Sequence, residues 1–146
     1  ATAEVNPADI VLEVTESRLM KDPLKSLDIL ARLRLKRFSL SIDDFGTGYS
    51  TLSQLRDIPF DELKIDRGFV HGASRDNFIR VIFASSQHMG EQLGMRIVAE
   101  GVEDQEDWDY IANSRCHLAQ GYHIAKPMPA AELPDWMLAW NTGLSG

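Results

Sequence analysis

Short apolar segments alternate along the chain with longer segments whose apolar residues recur every three or four positions. The short segments are rich in β-branched residues or alternate in polarity, which is typical of β-strands. They lie at residues 10–14, 38–42, 62–65, 96–99 and 117–120. The pattern therefore predicts five strands separated by helices.

The first helix is predicted between the first two strands. Asp22 and Pro23 open it, because an Asp cap followed by Pro suits the first turn of a helix. Its apolar face has a helical period that is widened by a neighbouring i, i+4 pair. The residues of this face are Leu24, Leu27, Leu30 and Ala31, with Ile29 and Leu33 as the added pair.

Three further helices follow from the same periodicity. They lie at residues 77–93, where Gly94 closes the helix, at residues 105–114, and in a last helix that ends near Trp140. Gly46 and Gly48 interrupt the second strand, and a short helix is predicted to begin near Ser50 or Thr51. The chain therefore repeats a β-α unit about five times.

Strands that alternate with helices predict an α/β fold with a parallel sheet, either a doubly wound open sheet or part of a (β/α)8 barrel. A polar residue lies at or next to the C-terminal end of every predicted strand: Glu13, Asp43, Lys64, Glu100 and Gln120. Barrels build active sites from several strand ends, whereas open sheets bind mainly at one crevice. A full barrel usually takes about 250 residues. The 146 residues therefore predict the C-terminal portion of a TIM-like barrel with about five βα units.

Composition narrows the range of partners. The chain is 44% hydrophobic and 25% charged with a net charge of −7, which fits a soluble domain and disfavours nucleic-acid polymers and anionic membranes. No apolar run reaches the roughly 20 residues that insert into a bilayer. The single cysteine, Cys116, excludes an internal disulfide. A cytoplasmic location is expected, and a cytoplasmic module of a membrane-tethered protein would show the same cysteine usage.

Three acidic positions suggest a cation site. Asp43 and Asp44 are adjacent and repel each other unless a cation lies between them, and Gly46 would let the chain turn so that both face one site. The alternative is a turn in which Asp caps a helix. Glu13 lies in an apolar strand, where a charge is costly unless it is paired or metal-bound. Its alternative is a solvated strand end or a salt bridge to a lysine.

Two more residues suggest catalysis. Lys64 has apolar neighbours in a short strand, and at a barrel mouth it could orient a water or offset phosphate charge. Its alternative is an ion pair with Asp66 or Glu62. Glu100 follows an apolar strand and precedes Gly101, so it could be a metal ligand or a general base. Its alternative is a loop carboxylate that accepts hydrogen bonds from backbone N–H groups.

Clustered carboxylates are the ligands that Mg²⁺ and Mn²⁺ prefer. Two such ions about 3.5–4 Å apart can activate water for phosphodiester hydrolysis. The four histidines share no metal-ligand spacing, so zinc is not expected. A small phosphate substrate remains compatible with an acidic chain, because bound cations reverse the local charge.

Five motifs, in this order along the chain, resemble those of the EAL-domain phosphodiesterases. They are Leu12-Glu-Val-Thr-Glu16, Asp43-Asp-Phe-Gly-Thr-Gly-Tyr-Ser50, Leu63-Lys-Ile-Asp66, Val98-Ala-Glu-Gly-Val-Glu103, and Ala119-Gln-Gly-Tyr122 with Lys126-Pro127. That family hydrolyses cyclic di-GMP to linear pGpG on a TIM-like barrel with Mg²⁺ or Mn²⁺. The resemblance implies the same fold, substrate and two-metal cofactor for this chain.

The resemblance also implies which residues bind metal. Glu13 and Asp43 would be ligands, with Asp43 bridging two ions and Asp44 holding the second. Glu16, which by itself suggests a helix cap or a loop anchor, would anchor the loop of residues 44–50. In this family that loop is linked to dimerisation.

The remaining roles concern water and substrate. Lys64 would contact the attacking water, and Asp66 would lie close by, facing metal or substrate. Glu100 would act as the base or as a ligand through water. Gln120 would lie near the guanine or the phosphate of cyclic di-GMP.

One departure from the family pattern concerns the start of the chain. The family's namesake Glu-Ala-Leu motif and an asparagine ligand belong to earlier segments, and neither precedes Glu13 here. We therefore expect residues 1–146 to be the C-terminal part of a single EAL phosphodiesterase domain that lacks its N-terminal strands and is inactive alone. Unpaired strand edges predict self-association, including a homodimer. The alternative function is an inactive cyclic di-GMP-binding or dimerisation module, which the intact acidic positions disfavour.

Overall fold

The computed structural model describes residues 5–19, 21–45 and 60–143. Five strands form one sheet: β1 (Val11–Thr15), β2 (Ser39–Phe45), β3 (Glu62–Ile65), β4 (Arg96–Glu100) and β5 (Leu118–Gln120). All neighbouring pairs are parallel, and the order β1-β2-β3-β4-β5 follows the chain. A doubly wound sheet reverses its strand order at the switch point. The consecutive order of the described strands therefore favours the barrel.

Helices lie between β1 and β2, between β3 and β4, between β4 and β5, and after β5, whereas most of the interval between β2 and β3 lies outside the described residues. The helices are α1 (Glu16–Leu19), α2 (Pro23–Leu35), α3 (Arg67–Val70), α4 (Asn77–Gln92), α5 (Gln105–Ala112) and α6 (Leu133–Gly143), with 3-10 turns at Pro7–Asp9 and Ala130–Glu132. Both one-turn helices, α1 and α3, are absent from the sequence-based prediction, because four residues are too few to show a period. The short helix predicted near Ser50 lies outside the described residues.

The predicted helix boundaries hold where a cap defines them. Asp22 accepts a hydrogen bond from the Lys25 amide at 3.2 Å, immediately before Pro23 at the start of α2. Gly94, just past α4, has a φ of +69°, the left-handed conformation in which glycine commonly ends helices. No described helix combines the length and the apolar character needed to cross a membrane.

The hydrophobic core lies between one face of the sheet and the helices. The sheet contributes Leu40, Ile42, Leu63, Ile65, Ile97 and Ala99, and the helices contribute Leu19, Leu30, Val70, Phe83 and Ile111. These strand residues alternate with the polar ones, so the opposite face carries Glu13, Ser41, Asp43, Lys64 and Glu100. The alternation therefore places the candidate site on the side of the sheet that faces away from the core.

The apolar face predicted for α2 was too wide. Leu27, Leu30 and Leu33 pack on the core, but Leu24 is 83% exposed and Ile29 is 47% exposed. The core-facing stripe of α2 therefore begins about a turn after its first residue. Periodicity places apolar residues on a shared face, but it does not show how far the sheet beneath that face extends.

Candidate active site

Lys64 lies at the centre of a group of carboxylates. Its Nζ is 2.6 Å from Glu100 Oε1, 2.9 Å from Glu13 Oε1 and 3.5 Å from Asp43 Oδ1. The lysine side chain is only 6% exposed. Strands β1, β2, β3 and β4 each supply one member, so the parallel sheet itself brings the four groups together. The salt bridge considered for Glu13 is therefore present, and it belongs to a larger cluster.

The alternative pairing of Lys64 with Glu62 or Asp66 is not what the structure shows. Glu62 lies two residues earlier on the same face of β3 and pairs with Arg96 at 3.3 Å. Asp66 caps α3 by accepting a hydrogen bond from the Gly68 amide at 2.8 Å. Both acids have other partners, and Lys64 pairs with Glu13, Asp43 and Glu100 instead.

Asp43 and Asp44 reach the same site because the backbone turns at Asp44 itself. Asp44 has a φ of +56°, a left-handed conformation that aspartate tolerates better than most residues. The pairing of β2 with β3 also shifts between Ile42 and Phe45. The described backbone therefore already turns at Asp44, whereas Gly46, where the turn was expected, lies outside the described residues.

Burial and the neighbouring charges shift the pKa values of several groups in this cluster. Burial lowers the pKa of Lys64, but its hydrogen bonds to Glu100 and Glu13 outweigh burial and raise that pKa above the ordinary 10.5. Burial raises the pKa of Glu100, against the opposing effect of Lys64. Burial and the neighbouring Asp43 and Asp66 likewise raise the pKa of Asp44. One ammonium therefore does not fully offset the crowded carboxylates.

The site has the donors that a hard cation requires. Asp43, Asp44 and Glu100 each offer an oxygen, and these oxygens lie within 4.8 Å of one another. Asp43 Oδ1 is buried and has no hydrogen-bond partner. A buried carboxylate oxygen is costly without a partner, and a divalent cation is the partner that oxygen donors of this kind suit. The described residues therefore fit a divalent metal.

Two further predicted site residues, Gln120 and Glu16, lie among the described residues. Gln120 ends β5 in register with Glu100, and its side chain is exposed at the rim. Glu16 is 2% exposed at the first position of α1. Most of the loop that Glu16 is expected to anchor lies outside the described residues, so this role stays a prediction.

A family model described as the EAL domain matches residues 1–127. The chain belongs to the EAL domain family. It is 42% identical over 129 residues to the bifunctional diguanylate cyclase/cyclic di-GMP phosphodiesterase MucR of Pseudomonas aeruginosa, a match that covers 88% of this chain and 19% of MucR. The chain therefore spans about a fifth of that relative's length.

Solved structures give the same result for the fold of this EAL chain. The PaMucR phosphodiesterase in a c-di-GMP complex matches with a TM-score of 0.84 at 42% identity, over 88% of this chain and 52% of that one. BlrP1 of Klebsiella pneumoniae, in a manganese and cyclic di-GMP complex, matches with a TM-score of 0.75 at 35% identity, over 81% of this chain and 30% of that one. EAL domains are TIM-barrel-like, which confirms the predicted fold class.

A second polar network in this EAL chain was missed from the sequence. Asp107 of α5 is 1% exposed and interacts with His71, which follows α3, at 2.7 Å. The two residues are 36 positions apart, so no local motif joins them. One signal was present: Asp107 and Ile111 are spaced by one helical turn, and both are buried. A charged residue on the core-facing side of a helix requires partners.

Proposed function

We propose that this chain carries active-site residues of a metal-dependent phosphodiesterase that hydrolyses cyclic di-GMP to linear pGpG. One observation carries the proposal: the Lys64 ammonium lies among Glu13, Asp43 and Glu100, beside the carboxylate oxygens of Asp44. Metal-assisted phosphodiester hydrolysis uses metal-binding oxygens and positive charge brought together at one site. The phosphodiesterase named MucR, 42% identical to this chain, supports the same substrate.

The cofactor of this reaction would be a pair of Mg²⁺ or Mn²⁺ ions. Glu13, Asp43 and Asp44 would hold them, and the manganese complex of the related BlrP1 supports the choice of a divalent metal. When bound, such ions polarise the phosphoryl oxygens and make a bound water more acidic. The buried Oδ1 of Asp43 takes part in no hydrogen bond, and its one ion pair, with Lys64 Nζ, is long at 3.5 Å, so this oxygen suits a cation ligand.

The other residues would bind water and substrate. Lys64 keeps its proton at neutral pH, so its ammonium can donate to the attacking water or to the phosphate. Glu100 has a raised pKa, which makes its carboxylate a better proton acceptor than an exposed one. Asp66 and Gln120 would contact the substrate, and Glu16 would hold the adjoining loop. The half-buried free thiol of Cys116 fits a cytoplasmic location.

The test is hydrolysis of cyclic di-GMP by the full-length protein with Mn²⁺, followed by chromatography of pGpG. We expect turnover by the wild type, and a loss of about 10²-fold or more in kcat for Glu100→Gln, because the proton acceptor is removed. Asp61→Asn is the matched control: this acid binds Arg34 at the opposite end of the sheet and should leave kcat nearly unchanged. A wild type that binds cyclic di-GMP without cleaving it would instead be a binding module.

A further inference from the structure

The segment between β4 and α5, residues 101–104, is tightly packed on two sides. Gly101 has a φ of +73°, and a Cβ at this position would collide with the Arg67 side chain of α3. On the other side, a Cβ at Gly121 would collide with the backbone of Val102. The segment therefore lies between α3 and the end of β5 with no room to shift toward either.

Asp107 is joined to this segment by a hydrogen bond from the Glu103 amide. Its Oδ2 accepts hydrogen bonds from the Glu103 amide at 3.0 Å and from His71 Nδ1 at 2.7 Å. Its Oδ1 accepts a hydrogen bond from the Gly72 amide at 3.0 Å. Burial raises the pKa of Asp107, but these hydrogen bonds outweigh it and keep the pKa below its ordinary value. The carboxylate is therefore ionised at neutral pH, and it joins the turn after α3 to the segment after β4.

The same segment leads directly to the proposed catalytic base. Glu100 immediately precedes it and contacts Lys64 at 2.6 Å. The Val102 amide donates to the Gln120 carbonyl at 3.1 Å, and Glu103 pairs with Arg67 at 2.6 Å. A displacement of the segment would therefore move Glu100 relative to Lys64 and to the rim of the site. A misplacement of about 1 Å can cost about 10²-fold in rate.

We propose that Asp107, together with His71, is a positioning residue that fixes Glu100 over Lys64. The proposal rests on the proposed function, since it assigns this network to the same site. The hydrogen-bonded pair of Asp107 and His71, which lies outside the active site, would fix the position of the segment that follows the base.

A metal site in this network fits the geometry less well. Oxygens of Asp104 and Asp107 and a nitrogen of His71 lie within 4.8 Å of one another. However, both Asp107 oxygens already accept hydrogen bonds from N–H groups. Asp104 caps α5 by accepting from the Asp107 amide at 2.9 Å, and it pairs with Arg75 at 3.0 Å. The three groups therefore form a hydrogen-bonded network.

The kinetic test uses the full-length protein with Mn²⁺ and cyclic di-GMP. Asp107→Ala should lower kcat about tenfold or more with KM changed less than about threefold, because substrate contacts remain and only the base is displaced. Asp107→Asn keeps one carbonyl oxygen and should recover part of kcat, and His71→Ala, which removes one donor, should show a smaller loss. Asp61→Ala is the control, since Asp61 also accepts two hydrogen bonds, from Arg34 and Leu40, but far from the site.

Hydrogen exchange provides a readout that does not depend on activity. The amides of Val102 and Glu103 should exchange faster in Asp107→Ala and in His71→Ala than in the wild type, and Asp61→Ala should leave them unchanged. The proposal would be overturned if folded Asp107→Ala kept the wild-type kcat or the wild-type exchange rates at Val102 and Glu103. An equal loss of kcat in Asp61→Ala would also overturn it. If the wild type does not hydrolyse cyclic di-GMP, the proposed function fails, and the exchange measurement alone decides the positioning role. If Asp107→Ala does not fold, His71→Ala decides both readouts.

Discussion

At the scale of the residue, Lys64 places one ammonium among three carboxylates that would otherwise face one another. We expect Lys64→Met to lower the free energy of unfolding by about 2–3 kcal/mol at pH 7 in the absence of metal, because carboxylates then lose their counter-charge. The loss is below that of a fully buried pair because Glu13 is 51% exposed. Urea unfolding measures it, and the exposed Lys25→Met is the control.

This loss should depend on pH in a defined direction. Burial raises the pKa of Glu100 in the folded state, and Lys64 opposes that rise, so the variant has a still higher folded pKa. When the pKa of a carboxyl group is higher in the folded state than in the unfolded state, the folded protein becomes less stable as the pH rises through that folded pKa. The deficit of Lys64→Met should therefore shrink as the pH falls from 7 toward 4.5, the ordinary value of Glu100. A deficit that grows on acidification would contradict this assignment of charges.

Single residues also show how far the sequence could predict the site. Lys64, Asp43 and Glu100 were predictable because each lies next to the end of an apolar strand, and parallel strands end at one edge. The partners of Lys64 were left open, since the sequence does not give the register between strands. Asp107 and His71 meet only after α3, α4, β4 and α5 have packed, so their pairing was not predictable.

At the scale of the element, the end of β5 depends on close contact with the segment after β4. We expect Gly121→Ala to destabilise the fold by about 2 kcal/mol or more, because its Cβ would meet the Val102 backbone, which cannot give way as a flexible side chain can. Thermal unfolding measures this. Gly143→Ala in α6 is the matched control, since nothing lies within 4 Å of its added Cβ. A Gly121→Ala protein as stable as the control would refute the close contact.

The elements themselves were predictable to different degrees. The start of α2 followed from Asp22 and Pro23, because the chemistry of capping is local. The left-handed backbone at Asp44 was not predictable, since a positive φ at a non-glycine residue leaves no compositional signal. The one-turn helices α1 and α3 depend on their packing against the core through Leu19 and Val70.

At the scale of the whole molecule, β1 and β5 are the edges of the described sheet, each paired with one neighbour. Exposed edges offer unpaired backbone groups to another chain. We therefore predict that the 146-residue chain self-associates, with sedimentation coefficients that rise with concentration. Val11→Lys, on β1, should weaken association, and Leu35→Lys, an apolar-to-lysine change on the exposed surface of α2, should not. A monomer at every concentration would contradict the prediction.

The left-handed backbone at Asp44 has a consequence for how this domain can evolve. Under the proposed function, position 44 has two separate requirements: a carboxylate that binds metal and a residue that tolerates a φ of +56°. Asparagine and glycine meet the second requirement without the first, and the genetic code places both a single base change from aspartate. The charge can therefore be lost in one mutational step while the backbone keeps its shape. If the proposed function holds, a single substitution at this position would give a folded protein that lacks one metal ligand.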